Sequence, residues 1–383
     1  MYTRLLGKVA TLPEGILEGS NDLSLYRAAG EALLRGEVPY RDFFIEYPPA
    51  SLPFFVPPAL FSGDPLSYID LFTAEMALLL VACLALISLT ARRTTGTWGW
   101  LLPAVTFAWC TLLLYPVAAT RYDAVVAFTL AVAVAVAALG GRWRLLAYAS
   151  LGLGTAAKLV PMFAVPALAL ARRSVLAGGA VFSGVVALFV VPALLLGGGE
   201  FLRSFSYHAQ RGLQAESLMS SVLILTGNVT NFEFDFGAFE ARGPGTDLAS
   251  TLSLPLTGVL LIVTLFFMYR AHKAGRLGPE TFPRFAAALI LAFMLGSKVL
   301  SPQYMVWLLP LVPLAARGYA GAGVCALFVV SCWATTQVFP LNYDQLLALQ
   351  APGPGYLVFR NVTLVVLWML LLVLPAVRTK DPV

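Results

Sequence analysis

The sequence predicts an all-α protein that crosses a membrane many times. Of its 383 residues, 59% are hydrophobic and only 12% are charged, and the mean hydropathy is +0.82. A soluble domain is about 45–50% apolar and about 25% charged, so this chain has too little polar surface to cover a water-facing globule. The composition therefore excludes a cytosolic enzyme, a disordered chain and a nucleic-acid-binding domain.

Long apolar runs predict about eleven crossings, within a range of about ten to twelve. A helix needs about 20 apolar residues to cross roughly 30 Å of hydrocarbon. Nine runs of this kind lie at 72–91, 98–118, 124–141, 175–197, 251–270, 285–299, 303–316, 321–339 and 357–377. Two shorter helices in the remaining apolar stretch complete the count, and the whole chain, 1–383, is predicted to form one transmembrane domain.

Two apolar stretches are interrupted by a lysine and a proline. Lys158 and Pro161 interrupt the first stretch, so we expect two short helices there, at 145–157 and 159–171. A similar break is predicted at 298–302, which contains a lysine, a serine and a proline. Such breaks are tolerated only where protein or water, rather than lipid, surrounds the backbone.

The basic residues set the predicted orientation. Lys and Arg are concentrated in alternate loops, at Arg92, Arg93, Arg142, Arg144, Arg172, Arg173, Arg270, Lys273, Arg276, Arg284, Arg317, Arg378 and Lys380. By the positive-inside rule these loops and the C-terminus are cytoplasmic. The opposite, exterior side then holds both helix breaks and the loops 1–71, 119–123, 198–250 and 340–356. An odd number of crossings places the N-terminus outside, although residues 1–20 contain no signal peptide or spanning helix, so we expect a missing or unusual first helix.

The first exterior loop predicts a short amphipathic helix. Ser20, Asn21 or Asp22 can cap its start, and Gly36 can end it. One apolar stripe combines Leu23, Tyr26, Ala29, Leu33 and Leu34. A helix of this pattern can lie in the membrane interface. The prolines that follow favour a rigid, turn-rich path instead of regular helix, at Pro48, Pro49, Pro53, Pro57 and Pro58.

The second exterior loop concentrates polar side chains but shows no known cofactor motif. Tyr207, His208, Arg211, Gln214 and Glu216 lie within ten residues. His208 has no neighbouring His or Cys at a metal-binding spacing, and the chain has no P-loop and no dinucleotide fingerprint. The four cysteines all lie in apolar runs and are expected to be buried free thiols.

Charged residues at the membrane edge are the strongest candidates for function, because burying a charge in a bilayer is costly. These candidates are Arg121, Asp123, Lys158 and Lys298. Lys158 could instead extend its ammonium to the headgroups, and Arg121 and Asp123 could form an ordinary interfacial ion pair.

Asp22, His208 and the pair Glu233 and Asp235 can each be interpreted in two ways, as structural or as functional residues. Asp22 is either a helix N-cap or a general base. His208 is either a loop histidine or part of an anion-binding pair with Arg211. The acidic pair Glu233 and Asp235 favours a solvated loop over a cation site, because two carboxylates alone do not specify a metal.

Four segments together resemble one family. They are NDLSLYRAAGEALLRGEVPYRDFFIEYPP, RYDAVVAFTLAVAVAVAALGGRWRLLAYASLGLGTAAKLVPMFAVP, YHAQRGLQAES and SKVLSPQYMVWLLP. In this order and spacing the chain resembles glycosyltransferase family 87, the bacterial polyprenyl-phosphate-mannose-dependent mannosyltransferases of the GT-C superfamily, from about residue 20 to 316. Members of this kind normally begin with a spanning helix whose outer end presents a first-loop Asp, and this sequence departs from them by lacking that helix.

The resemblance implies a GT-C-type fold, with long exterior loops that carry short interfacial helices and an active site at the outer membrane face. It also implies a sugar donor on polyprenyl monophosphate and an inverting reaction, and its first-loop catalytic base corresponds to Asp22. Candidates to hold the donor phosphate are Lys158, His208, Arg211 and Lys298. Candidates to shape the sugar or acceptor pocket are Glu46, Tyr47, Arg121, Asp123, Tyr207, Glu216 and Gln303.

The resulting hypothesis is a monomeric, multi-pass plasma-membrane mannosyltransferase that acts on a glycolipid or glycan. Because Lys and Arg could neutralise the donor phosphate, neither a metal nor another cofactor is expected. Glucose or arabinofuranose stays open as the sugar. Two other functions also stay open: a transporter or flippase of lipid-linked sugars, although the sequence shows no repeat symmetry, and a ligase of whole glycans, which would call for a larger exterior loop.

Overall fold

Helices make up most of the chain in the computed structural model, which describes residues 22–95, 98–172 and 175–374. The α-helices are α1 Asp22–Leu34, α2 Val56–Phe61, α3 Pro65–Thr95, α4 Leu101–Leu113, α5 Tyr115–Ala118, α6 Asp123–Leu139, α7 Arg144–Ala157, α8 Val165–Arg172, α9 Val175–Gln210, α10 Leu218–Leu225, α11 Thr246–Lys273, α12 Phe282–Gly296, α13 Gly318–Thr336, α14 Tyr343–Leu347 and α15 Gly353–Val373. Tighter 3₁₀ helices cover Pro49–Phe55, Gly141–Trp143, Val160–Ala164, Pro279–Thr281, Pro302–Leu308 and Val312–Leu314, and a π-helical turn covers Gln337–Leu341.

Five helices of the described chain are long and apolar enough to cross a membrane, namely α3, α9, α11, α13 and α15. The predicted all-α, multi-pass class is therefore confirmed, whereas the count of eleven crossings stays a prediction. Shorter apolar helices fill the interior. Helix α6 packs between α3 and α7, and α12 packs against α11 and α15, so these two helices lie at the centre of the bundle.

Both predicted helix breaks are present. Helix α7 ends at Ala157, Lys158 adopts an extended conformation, and a 3₁₀ turn leads into α8. Helix α12 ends at Gly296, and the chain then runs extended to Pro302. The run 303–316, which we expected to form a spanning helix, is instead built from 3₁₀ turns, two of which begin with a proline at their first positions.

Helix α1 forms where the apolar stripe predicts it, and Gly36 follows its end with a positive φ of 81°. The stripe is not presented to the lipid interface, contrary to our expectation. Tyr26 is buried, and its ring stacks on Phe55 with the centroids 4.5 Å apart. Leu34, predicted to belong to the stripe, is 45% exposed. The stripe thus attaches α1 to the body of the protein.

The proline-rich segment is helical, so the prediction of a turn-rich path is wrong. Pro49 and Pro57 occupy the first positions of the 3₁₀ helix Pro49–Phe55 and of α2. Proline is well tolerated there, because its missing N–H would have no partner in the first turn of a helix. The segment packs against α1 and places Glu46 and Tyr47 just before a rigid element.

A small β-hairpin, which we did not predict, lies within the segment 198–250. Strands β1 Asn231–Asp235 and β2 Ala238–Arg242 pair antiparallel. Phe236 and Gly237 both have positive φ, as a two-residue type I′ turn requires. The N–H of Ala241 donates to the carbonyl of Leu213 at 2.7 Å, so the hairpin also fixes the segment that follows α9.

Candidate active site

Charged side chains from several loops meet in one cluster where α6 begins and α7 ends. Three ion pairs form it: Asp22 with Arg121, Asp123 with Lys158, and Glu46 with Arg211. The pairs are neighbours, because Tyr122, between Arg121 and Asp123, packs with its ring centroid 5.3 Å from that of Tyr47, the residue after Glu46. The structure thus brings together residues that sequence analysis placed on one side of the membrane.

The first ion pair links the start of α1 to the start of α6. Asp22 is the first residue of α1, and its Oδ2 lies 2.9 Å from Nε of Arg121, with the two side chains 25% and 20% exposed. Asp22 is therefore accessible enough to meet a substrate while being held in place. Below it, Tyr26 and Tyr47 pack edge-on at 5.4 Å. Burial is the main cause that raises the pKa of both phenols, so their hydroxyls stay protonated.

The second ion pair is the most deeply buried one. Oδ1 of Asp123 accepts from Nζ of Lys158 at 2.8 Å and from Nε1 of Trp307 at 2.5 Å. The ammonium also lies 4.7 Å from the ring centroid of Tyr122 and 5.4 Å from that of Trp307, which is cation–π range. Lys158 therefore points into the protein, and the interpretation that it extends to the headgroups is wrong. Arg121 and Asp123 have different partners, so the simple pair between them is also wrong.

The third ion pair joins two loops that are far apart in the sequence. Nη2 of Arg211, just after α9, lies 3.2 Å from Oε2 of Glu46. Burial is the largest influence on Glu46 and raises its pKa, while Arg211 opposes this effect. A carboxylate that is easily protonated beside an arginine can release that arginine to another anion.

Lys298 lies behind Arg211, in the second helix break. Its ammonium donates to the backbone carbonyl of Arg211. Gln214 joins the same two segments, because its Oε1 accepts from the N–H of Leu300 at 2.8 Å and its Nε2 donates to Oγ of Ser301 at 2.9 Å. The loop after α9 and the break after α12 are therefore one hydrogen-bonded unit.

Some predicted residues are not brought into this cluster. Glu216 is buried, and its carboxylate lies near the side chains of Arg360 and Tyr343 instead. Gln303 is half-buried beside Tyr304, and the described contacts include no hydrogen bond from its side chain to the ion pairs. The side chains of Tyr207 and His208 lie outside the part of the chain that the structure describes.

The acidic pair of the hairpin is held by an arginine. Arg242 lies 2.8 Å from Glu233 and 3.9 Å from Asp235. Across the described ranges, no three or more His, Cys, Asp or Glu side chains group as metal ligands would. Glu233 and Asp235 are thus exposed side chains of strand β1 that pair with an arginine.

Sequence analysis missed the aromatic residues that surround Lys158. Tyr304 and Trp307 stack with their centroids 4.0 Å apart, and Trp307 is fully buried against Asp123. A Tyr and a Trp three residues apart, directly after a predicted helix break, were the available signal. Their spacing puts both rings on one side of a 3₁₀ helix, where side chains at i and i+3 align.

An apolar groove of about 720 Å³ lies beside the cluster. Tyr40 lines the groove and connects it to the cluster, because its hydroxyl donates to the carbonyl of Tyr47 at 2.5 Å. The other lining residues are Leu33, Val38, Pro39, Pro49, Leu52, Pro53, Val56, Pro57, Leu60, Phe61, Phe189, Pro192, Ala193 and Leu196. The charged site thus adjoins a surface suited to a hydrocarbon chain.

The family model of glycosyltransferase family 87 matches residues 44–302, which is more than half of the chain. The chain belongs to glycosyltransferase family 87. The matched region contains every charged residue of the cluster except Asp22. The resemblance to glycosyltransferase family 87 stated from the sequence is confirmed.

Two crystal structures are similar to this glycosyltransferase at low identity. Both are of ArnT from Cupriavidus metallidurans. The one bound to undecaprenyl phosphate shares 15% identity, with a TM-score of 0.46, over 90% of this chain and 72% of that one. The apo structure shares 14% identity, with a TM-score of 0.49, over 92% and 72%. The search of curated proteins found no match.

Proposed function

We propose that this family 87 glycosyltransferase moves a sugar, most simply mannose, from a polyprenyl-phosphate donor to a glycolipid or glycan acceptor at the outer face of the plasma membrane. The observation that carries the proposal is the position of the ion-pair cluster beside the apolar groove. A lipid-linked sugar phosphate combines an anion with a long hydrocarbon chain, and the cluster and the groove offer one surface for each.

The groove is suited to the proximal part of the polyprenyl chain. Its lining is almost entirely aliphatic, aromatic and proline side chains, and burial of apolar surface contributes about 25 cal/mol per Å². Tyr40 marks where the hydrocarbon would end and the phosphate would begin, because its ring lines the groove while its hydroxyl reaches Tyr47.

The phosphate would be held by Lys158 and Arg211, with Lys298 behind them. In the donor the phosphate is a diester with one negative charge. As the bond between the anomeric carbon and the phosphate oxygen breaks, the electron pair moves to that oxygen and a second charge develops. Fixed cations in a water-poor site stabilise such developing charge. The chain thus supplies the neutralisation that a metal would otherwise provide, so we expect a metal-independent reaction.

Asp22 is proposed as the general base. The acceptor hydroxyl attacks the anomeric carbon, and its proton passes to the carboxylate of Asp22 as the new glycosidic bond forms. Arg121 holds this carboxylate in a fixed orientation. Attack on the face opposite to the leaving phosphate gives inversion, with a transition state that resembles an oxocarbenium ion.

The proposal is tested by supplying the purified protein with polyprenyl-phosphate mannose and a panel of membrane glycolipids. We expect a mannosylated lipid and free polyprenyl phosphate in equal amounts. The corresponding glucose and arabinofuranose donors, assayed in parallel, identify the sugar. Donor movement across a vesicle bilayer without any glycosylated product would overturn the proposal in favour of a transporter.

A further inference from the structure

Arg360 is a buried charge beyond the region that the family model matches. It lies in the first half of the apolar helix α15 and is 1% exposed. A guanidinium within a spanning helix is costly unless polar groups surround it. Its contacts therefore indicate why the chain keeps a charge at this position.

The guanidinium joins two separate backbone segments. Nη2 donates to the carbonyl of Glu216, in the loop after α9, and Nη1 donates to the carbonyl of Leu300 at 3.3 Å, in the break after α12. Nε donates to Oδ1 of Asn361 at 3.0 Å, and Nδ2 of Asn361 donates to the carbonyl of Ser217 at 3.2 Å. Helix α15 thus holds both segments by their carbonyl oxygens.

These two segments carry two of the cations proposed to bind the donor phosphate. Leu300 is two residues after Lys298, and Glu216 is five residues after Arg211. Between them Gln214 joins the segments, and the ammonium of Lys298 donates to the carbonyl of Arg211. Arg360 therefore binds the two segments close to where they carry Lys298 and Arg211.

We propose that Arg360 is a positioning residue for donor binding, which acts by fixing the loop after α9 to the break after α12. The inference rests on the proposed function, because it takes Arg211 and Lys298 as phosphate-binding groups. A lysine cannot replace it fully. A guanidinium offers donors in a rigid fork, whereas an ammonium is a compact point charge on a flexible stem.

The experiment compares the KM for polyprenyl-phosphate mannose in purified Arg360→Met, Arg360→Lys and wild-type protein. We expect KM to rise tenfold or more in Arg360→Met and to recover partly in Arg360→Lys. Arg284→Met is the matched control. Arg284 is also a buried arginine that donates to backbone carbonyls of α15, at Leu371 and Leu372, away from the cluster. The variant Arg284→Met should lower the melting temperature and leave the donor KM within twofold of the wild-type value.

A second comparison separates positioning from general support of the fold. In a background that carries both Arg211→Met and Lys298→Met, Arg360→Met should change the donor KM less than twofold further, because both cations through which it acts are absent. An equal effect in both backgrounds, or an equal KM change in Arg284→Met, would overturn the inference. If Arg360→Met does not fold, a wild-type KM in folded Arg360→Lys would overturn it as well.

Failure of the proposed function would give a different result from failure of the positioning role of Arg360. Arg211→Met would then leave the donor KM unchanged by itself. The positioning of the two segments is measured without donor, by hydrogen exchange of the amides of Gln214 and Leu300, which donate across the two segments to the carbonyl of Lys298 at 2.9 Å and to Oε1 of Gln214 at 2.8 Å. Arg360→Met should raise both exchange rates severalfold, and Arg284→Met should not. Unchanged exchange rates in Arg360→Met would overturn the inference.

Discussion

Replacement of Lys158 by methionine tests whether its ammonium holds the donor phosphate. Methionine keeps most of the length and the apolar contacts with Tyr122 and Trp307 while removing the charge. A hydrogen bond to a charged group contributes about 1.5–3 kcal/mol. Since each 1.4 kcal/mol corresponds to a factor of ten, we expect kcat/KM for the donor to fall by about 10- to 150-fold.

The same change also removes the partner of a buried carboxylate. Asp123 is fully buried and would keep only the N–H of Trp307 on its Oδ1. Breaking a buried ion pair costs about 3–5 kcal/mol of stability, and the 19% exposure of the Lys158 side chain favours the lower end of this range. Lys158→Met alone therefore confounds the loss of phosphate binding with the loss of stability.

The double variant Asp123→Asn with Lys158→Met separates the two effects. It removes both charges, so the melting temperature should return towards that of the wild type, while kcat/KM should stay as low as in Lys158→Met. Steady-state transfer is measured well below the melting temperature, with Asp123→Asn as the single control. Recovery of wild-type kcat/KM in the double variant would refute the reasoning, because Lys158 would then only neutralise Asp123.

Three further predictions concern the pH dependence, the groove and the topology. Burial raises the pKa of Glu46, so Glu46 takes up a proton at a higher pH than a free glutamate and releases Arg211. The donor KM should therefore fall as the pH decreases through that pKa. The variant Glu46→Gln should have a low donor KM that does not depend on pH. If the donor KM of this variant depends on pH as it does in the wild type, Glu46 does not control Arg211. Ala193→Trp should raise the KM of a long-chain donor at least tenfold more than that of a short-chain analogue, and equal effects would exclude the groove as the site of the polyprenyl chain. Because the four native cysteines are buried, Asp235→Cys should react with an impermeant thiol reagent in intact cells and Arg276→Cys should not; the reverse pattern would place the cluster on the cytoplasmic side.

The local features of the sequence predicted the helix breaks correctly. A lysine and a proline inside an apolar run leave few alternatives to a turn, which is why the chain changes direction at Lys158 and near Lys298. The periodicity of α1 and the glycine after it were sufficient in the same way. The helix breaks, the apolar periodicity and the helix end all depend on residues that are close together in the sequence.

The partners of the charged residues could not be predicted in this way. Glu46 and Arg211 are 165 residues apart, and Asp123 and Lys158 are 35 apart. Which carboxylate meets which cation depends on the packing of whole helices, so sequence analysis named these residues without pairing them. Sequence analysis also could not show that the carboxylate of Glu216 is buried outside the three ion pairs, because a polar residue in a predicted exterior loop has the same appearance in both places.

Some features were missed although a signal was present. The alternation of Phe232 and Phe234 with acidic residues, followed by Phe236 and Gly237, is typical of a β-hairpin. Arg360 lies inside the predicted span 357–377, where an ionisable residue is a functional candidate by default. Neither signal was used, because the apolar composition of the chain favours the prediction of spanning helices.

The substitution Asp22→Asn tests the central claim most directly. Asparagine caps a helix as well as aspartate does but has no basic carboxylate, and general-base catalysis contributes about 10²–10⁴-fold. We predict that the variant folds, with a melting temperature lowered by the loss of the ion pair with Arg121, and keeps its donor KM within a few-fold. Its kcat should fall at least a hundredfold, whereas the exposed control Asp42→Asn should keep full activity. A kcat within a few-fold of the wild type would contradict the account and leave Asp22 as a helix cap.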